Sequence, residues 1–222
     1  VERRAAGEPI AYLTGNCEFY GLEFRVTPAV LIPRPETELL VDLALERLPV
    51  EGRARVLDLG TGSGCIAVSL GRQRPRMEVW AADAVPAALE VARDNALRLG
   101  ATVRFVRSDW LADLAGERFD LILSNPPYVA AGDPHLSRGD LRFEPASALV
   151  AGEDGLNDIR RIVAAAPAHL APGGWLLFEH GYDQAQRCRA LLTAAGFGQV
   201  TSWRDLAGIE RVSGGCMLET QS

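Results

Sequence analysis

The apolar positions of the chain form short runs ended by Gly, Pro or Asp, and these runs take turns with stretches of helical spacing. Ala54 to Gly60 reads A-R-V-L-D-L-G, an apolar run closing in a glycine-rich turn, after which helical spacing resumes from Cys65 to Leu70. Glu78 to Ala82 is a second run, ended by Asp83, and Pro86 then opens a helix whose Leu89, Ala92, Ala96 and Leu99 share one face. The alternation continues through Val103 to Val106, Phe119 to Ser124, a helix near Leu156 to Leu170, a strand from Trp175 to Glu179 and a helix from Gln184 to Ala195. Strands and helices at this spacing predict an α/β fold with a mainly parallel sheet covered on both faces. Gln199 to Trp203 and Arg211 to Leu218 have no helix between them, which predicts an antiparallel pair at the sheet edge.

Ahead of this unit, Phe19 to Val26 predicts a β-hairpin arm with Gly21 near its turn. A helix follows in which Val41, Ala44, Leu45 and Leu48 keep helical spacing and Pro35 sits near the start. Three regions are therefore expected: residues 1–18 as a linker from a preceding helical domain, 19–50 as the hairpin and helix appendage, and 51–222 as the sheet domain. The opening Glu2-Arg3-Arg4 reads as the tail of a helix. Val129 to Asp154 is longer than most connections and is a candidate substrate-facing loop.

With 222 residues, 48% of them hydrophobic, the chain can bury a substantial core. No apolar run reaches the roughly 18 residues of a membrane span, and the start lacks a signal-peptide pattern, so a cytoplasmic protein without membrane contact is expected, as a monomer. Cys17, Cys65, Cys188 and Cys216 are scattered without C-x-x-C or nearby His, which suggests reduced thiols and no metal site. A net charge of −6, without a Lys/Arg cluster, argues against direct nucleic-acid binding.

The turn Asp58-Leu59-Gly60-Thr61-Gly62-Ser63-Gly64 lets a ligand approach the main chain closely, at the start of a helix that presents unpaired N–H groups. Alone, such a turn is also a tight strand-to-helix connection. Asp83, nineteen residues after Gly64 and at the end of the next strand, can accept both hydroxyls of a ribose, which points to an adenosine-containing cofactor. The spacing is G-x-G-x-G rather than the G-x-G-x-x-G of dinucleotide sites, and Asp58 can attract a cationic methionine end, so S-adenosylmethionine fits better than a pyrophosphate. Trp110, in Ser108-Asp109-Trp110 after the third strand, is placed to cover an adenine ring; its plain alternative is packing against a helix.

Asn125-Pro126-Pro127-Tyr128 follows the fourth strand and is the most specific signal in the chain. Two prolines stiffen the loop and leave two acceptors, the Asn125 side-chain oxygen and the Pro126 carbonyl. A planar NH2 group has two donors to match. An amide nitrogen is a poor nucleophile because its lone pair is shared with the carbonyl, so two acceptors would orient it and stabilise the charge that develops as a methyl arrives. Tyr128 can stack on the flat group. None of His135, His169 or His180 sits in a motif that nominates a general base.

These motifs resemble the HemK/PrmC family, glutamine N5-methyltransferases that modify the Gly-Gly-Gln motif of peptide chain release factors. The likeness runs through nearly the whole chain: Gly7-Glu8-Pro9-Ile10, Leu13-Thr14-Gly15, Phe19-Tyr20-Gly21, Leu31 to Glu38, Arg142-Phe143-Glu144-Pro145, Glu179-His180-Gly181 and Glu210-Arg211-Val212 all look like its hallmarks. Where that family usually has an aromatic pair after the last strand, this chain has Gly215-Cys216-Met217. The resemblance implies a class I, Rossmann-like methyltransferase domain with a seven-stranded sheet, and a role in translation termination. It implies that Gly60, Thr61, Gly62, Ser63, Gly64, Asp83, Trp110 and Asn125 contact S-adenosylmethionine, that Asn125, Pro126, Pro127 and Tyr128 hold the glutamine, and that Arg34 and Glu36 lie near the substrate entrance.

Two rival readings stand beside this one. A nucleic-acid adenine N6-methyltransferase would present the same planar NH2 to the same four residues, but needs a basic groove that the composition does not supply. A non-catalytic module that retains the fold would have no need of an intact Asn125 to Tyr128.

Overall fold

The computed structural model describes residues 2–137 and 139–218. Val1 and residues 219–222, the outer ends of the first and last expected regions, lie outside the described residues, as does Arg138 in the irregular stretch. Two short helices, α1 (Glu2–Ala5) and α2 (Ile10–Thr14), lead into a hairpin of β1 (Asn16–Phe19) and β2 (Leu22–Arg25). The hairpin begins ahead of the expected Phe19 because its register is set by its turn, not by its apolar content. Tyr20 and Gly21 both take positive φ, 53° and 72°, the two-residue geometry that matches strand twist, so Asn16 to Phe19 must pair back along Leu22 to Arg25. Glu38 fastens the turn by accepting the Tyr20 N–H at 2.7 Å.

Helix α3 (Glu38–Arg47) precedes β3 (Arg55–Leu59), α4 (Cys65–Gln73), β4 (Glu78–Asp83), α5 (Pro86–Leu99), β5 (Arg104–Arg107) and β6 (Phe119–Ser124). There follow α6 (Asn157–Ala165), β7 (Leu170–Glu179), α7 (Ala185–Ala194), β8 (Phe197–Arg204) and β9 (Glu210–Met217). The last seven strands form one sheet in the order β5-β4-β3-β6-β7-β9-β8. Its first five members are parallel, and β9 runs antiparallel between β7 and β8. β7 starts at Leu170 rather than the expected Trp175: Leu170 pairs with Phe119, and a register shift absorbs the Pro-Gly-Gly segment that reads as a turn. No helix among the described residues is long and apolar enough to cross a membrane.

Side chains alternate across each strand, so the sheet has two apolar faces. Val56, Leu121, Leu123 and Leu177 pack with α3, α4 and the hairpin's Phe19 and Phe24, while Leu57, Ile122, Leu176 and Phe178 pack with α6 and α7. By the same alternation Glu179, two residues beyond Leu177, falls on the α3 side. At the β7–β9 seam there is no spare room. A Cβ at Gly214 would lie 2.4 Å from the Leu177 side chain and 2.5 Å from the Leu176 carbonyl oxygen.

Every parallel strand delivers its carboxyl end to the same edge. The order reverses between β3, which leads to β4, and β6, and open α/β sheets bind ligands at such a reversal.

Candidate active site

A cleft of about 260 Å³ opens at that edge. Gly60, Thr61, Gly62 and Ser63 form one wall, Asp83 and Trp110 another, and Asn125 and Pro127 close the far end. The glycine turn works through its dihedrals: Gly60, Gly62 and Gly64 have φ of 69°, 55° and 82°, a region costly for residues with a Cβ. A Cβ at Gly60 would also come within 3.1 Å of the Trp110 ring, and one at Gly64 within 3.1 Å of Ala92. Gly64 is outside the wall and serves the packing of the loop on α5.

Asp83 holds the turn while facing the cleft. Its carboxylate accepts the Gly62 and Val85 N–H groups, each at 2.9 Å and each on a different oxygen, and burial raises its pKa against those bonds. Each oxygen has lone-pair capacity left for a hydroxyl. Asp58 stands behind the wall rather than in it. One oxygen takes the Thr61 hydroxyl at 2.6 Å and the Ala67 N–H at 3.2 Å; the other is buried without a partner. Desolvation pushes the Asp58 pKa up to about 7, so a cation arriving on the far side of Thr61 would find a carboxyl short of positive company.

Trp110 adopts φ 53°, unusual for a bulky side chain, and is held there. The Ser108 hydroxyl donates to the Trp110 carbonyl at 2.7 Å, and the indole N–H donates to Asp158 at 3.1 Å. The ring therefore stands over Gly60 as part of the cleft wall and at the same time packs against the core on the α6 side.

Asn125 is the hinge between cleft and interior. Its Nδ2 donates to the Thr37 hydroxyl oxygen at 3.0 Å, and the Thr37 hydroxyl donates to Glu179 at 2.6 Å. With the amino end engaged inward, the carbonyl end of the Asn125 amide is the end left for a ligand. Tyr128 turns inward: its hydroxyl donates to the other Glu179 oxygen at 3.1 Å and its ring packs against the core on the α6 side. Tyr128 and Pro126 are outside the cleft wall, although Pro126 is buried between two wall neighbours, Asn125 and Pro127.

Arg34 and Glu36 do not line the cleft. Arg34 pairs with the buried carboxylate of Glu144, which also accepts the Ile32 N–H at 3.2 Å. This pair fastens the Val129 to Asp154 stretch to the segment 29–34, and both contribute to the cleft: Ala29, Val30, Leu31 and Pro33 from one, Pro145, Ser147 and Ala148 from the other. Glu36 is exposed. None of the three histidines reaches the cleft; His180 is buried between the Gly181 carbonyl and the Ser213 hydroxyl.

Thr37, Glu179 and Asn95 belong to this architecture although sequence chemistry nominated none of them. Thr37 and Glu179 lie inside the quoted hallmarks, which was their only signal. Asn95 is a lone amide on the apolar face of α5, and it donates to the carbonyls of both Arg25 and Ser63 at 2.9 Å.

The Methyltransferase small domain family matches residues 37–151. A release factor glutamine methyltransferase of Burkholderia pseudomallei is 60% identical over 220 residues, covering 96% of this chain and 77% of the relative. The chain belongs to the release factor glutamine methyltransferase family. A solved release-factor-specific protein-(glutamine-N5) methyltransferase from Alicyclobacillus acidocaldarius agrees, at 32% identity and TM-score 0.54, covering 89% of this chain and all of that one. A methyltransferase structure from Pyrococcus furiosus matches the fold across 99% of this chain and 98% of its own, with TM-score 0.67 and 20% identity.

Proposed function

We propose that the chain transfers a methyl group from S-adenosylmethionine to the side-chain nitrogen of the glutamine in the Gly-Gly-Gln motif of a peptide chain release factor, and so modulates translation termination. The observation that carries this reading is the fixed orientation of Asn125 at one end of a cleft it shares with Gly60 to Ser63. A carbonyl oxygen presented there suits an NH2 group.

The residues fit the donor. Asp83 has acceptor capacity for two ribose hydroxyls, Trp110 with Val85 and Ile66 offers an apolar wall for a base, and the unpartnered Asp58 oxygen favours positive charge beyond Thr61. When bound, S-adenosylmethionine supplies a methyl on cationic sulfur, which keeps the electron pair of the broken bond in the product S-adenosylhomocysteine.

The chain's own part is to orient and stabilise. Asn125 Oδ1 accepts one N–H of the substrate amide and the Pro126 carbonyl the other, turning the nitrogen lone pair toward the donor. Positive charge growing on that nitrogen meets the outward carbonyl dipole of Asn125, an electrostatic gain on the order of 3 kcal/mol. The surplus N–H proton is acidified by the new bond and leaves to solvent, so no histidine is needed. Pro127 limits the loop's freedom, and Tyr128 supports it from behind through Glu179. Arg34, with Glu144, holds the loop at the entrance, and Glu36 lies outside it.

Incubation with labelled S-adenosylmethionine and either release factor or DNA tests the assignment. A single added methyl on the release-factor glutamine by mass spectrometry is the expected result; label found in DNA alone rejects it.

A further inference from the structure

Glu179 is a carboxylate with 1% exposure, and among the described residues it forms no ion pair. Burying a carboxylate without a cation is expensive, and a packing role alone would be met by an apolar side chain. What a carboxylate has that no other side chain offers is two oxygens that only accept. One takes the Thr37 hydroxyl and the other the Tyr128 hydroxyl. Thr37 has a single hydroxyl hydrogen, so once that hydrogen points at Glu179, the Thr37 oxygen can only accept from its other neighbour. That neighbour is Asn125, which must then turn its NH2 inward and its carbonyl oxygen outward.

We propose that Glu179, acting through Thr37, is the positioning residue that sets which end of the Asn125 amide meets the substrate. The inference rests on the proposed reading of the site, in which the outward oxygen of Asn125 grips the glutamine NH2. Glu179 itself does not line the cleft. Reversal of the relay is physically simple. A proton on the Glu179 oxygen facing Thr37 lets Thr37 donate to Asn125 instead, so the amide flips and presents two hydrogens to a substrate that also offers two.

The groups facing Glu179 are Arg211 on β9, Glu36 ahead of α3, Tyr128 after β6 and Cys65 at the start of α4. Burial pushes the Cys65 thiol up to about 12 and Tyr128 higher still, so both stay protonated when Glu179 titrates, its own pKa being raised by burial to about 6. His180, next in the chain, has its pKa lowered by burial and bonds away from this chain of hydroxyls.

Single-turnover methyl transfer to a release factor, followed from about pH 5 to about pH 8, reads the relay directly. For the unaltered protein at saturating S-adenosylmethionine, which removes any effect of Asp58 protonation on donor binding, the rate falls as pH drops through about 6. Glu179→Gln is expected to lose that acid limb and run about 10- to 100-fold slower at neutral pH, with donor affinity unchanged. Thr37→Val is expected to slow transfer comparably and Thr37→Ser to restore it, which decides the matter even where Glu179→Gln folds poorly. Retention of the acid limb and full rate in Glu179→Gln, or equal rates for Thr37→Val and Thr37→Ser, overturns the proposal while leaving the glutamine assignment standing. An unaltered protein that leaves the glutamine unmethylated overturns the assignment itself, and the inference with it.

Discussion

The side chain of Asn95 grips the main chain of Arg25 at two points, accepting its N–H at 2.7 Å and donating to its carbonyl at 2.9 Å. A second hydrogen of the same amide reaches the Ser63 carbonyl, so one buried residue of α5 joins the hairpin to the glycine-rich turn. Asn95→Ala leaves three main-chain groups without their partner, that of Ser63 in a buried position and the two of Arg25 part-buried. The expected loss is on the order of 3 kcal/mol of folding stability by urea titration, together with weaker S-adenosylmethionine binding by calorimetry, because the turn loses its rear support. Unaltered stability would show that the hairpin is held by other contacts.

Asn125→Ala removes one acceptor and leaves the rest of the cleft in place. Methyl transfer is expected to fall about 100-fold or more while most donor affinity remains, a drop in kcat rather than in binding. Steady-state kinetics alongside calorimetry separates the two, and undiminished kcat would remove Asn125 from the mechanism.

Asp83→Ala acts on the donor. It deletes the acceptors offered to the ribose and also frees the Gly62 and Val85 N–H groups, so S-adenosylmethionine affinity is expected to fall by about 1 to 3 kcal/mol. Equal heats and affinities for the two proteins would count against a ribose contact.

Asp58 links the site to stability through pH. Its pKa in the fold, about 7, lies above the ordinary carboxyl value of 3.8, so the folded protein holds a proton that the unfolded chain has released. Stability from this group is greatest at acid pH and is lost as pH rises from about 4 through about 7. Glu179 has the same sign over a narrower window, from 4.5 to about 6. Asp58→Asn removes the larger contribution: melting temperature without ligand is expected to rise at pH 8 relative to the unaltered protein, with the gain vanishing near pH 5. The same variant is expected to bind S-adenosylmethionine less tightly. A melting difference independent of pH would contradict a shifted Asp58.

The strands were legible because burial on both faces produces unbroken apolar runs, and those of β3, β4 and β6 are stopped by Gly60, Asp83 and Asn125-Pro126-Pro127. Loop chemistry was legible wherever neighbouring residues act together, as in Gly60 to Gly64 or Asn125 to Tyr128. Thr37 and Glu179 were not, since their link joins residues 142 apart and exists only because α3 settles over the β7 end of the sheet. The inward bond of Tyr128 was hidden for a related reason: stacking on substrate was expected of its ring, and the partner that its buried phenol needs, Glu179, lies 51 residues away on the interior side.

Gly214 is far from the cleft in chain position, yet it sits directly across from Leu177, two residues upstream of Glu179. A methyl group added there has nowhere to go but into β7. Shoving that strand sideways would drag the carboxylate away from Thr37, so a substitution inside the sheet, at a residue that never meets a ligand, would reach the Asn125 end of the cleft through β7.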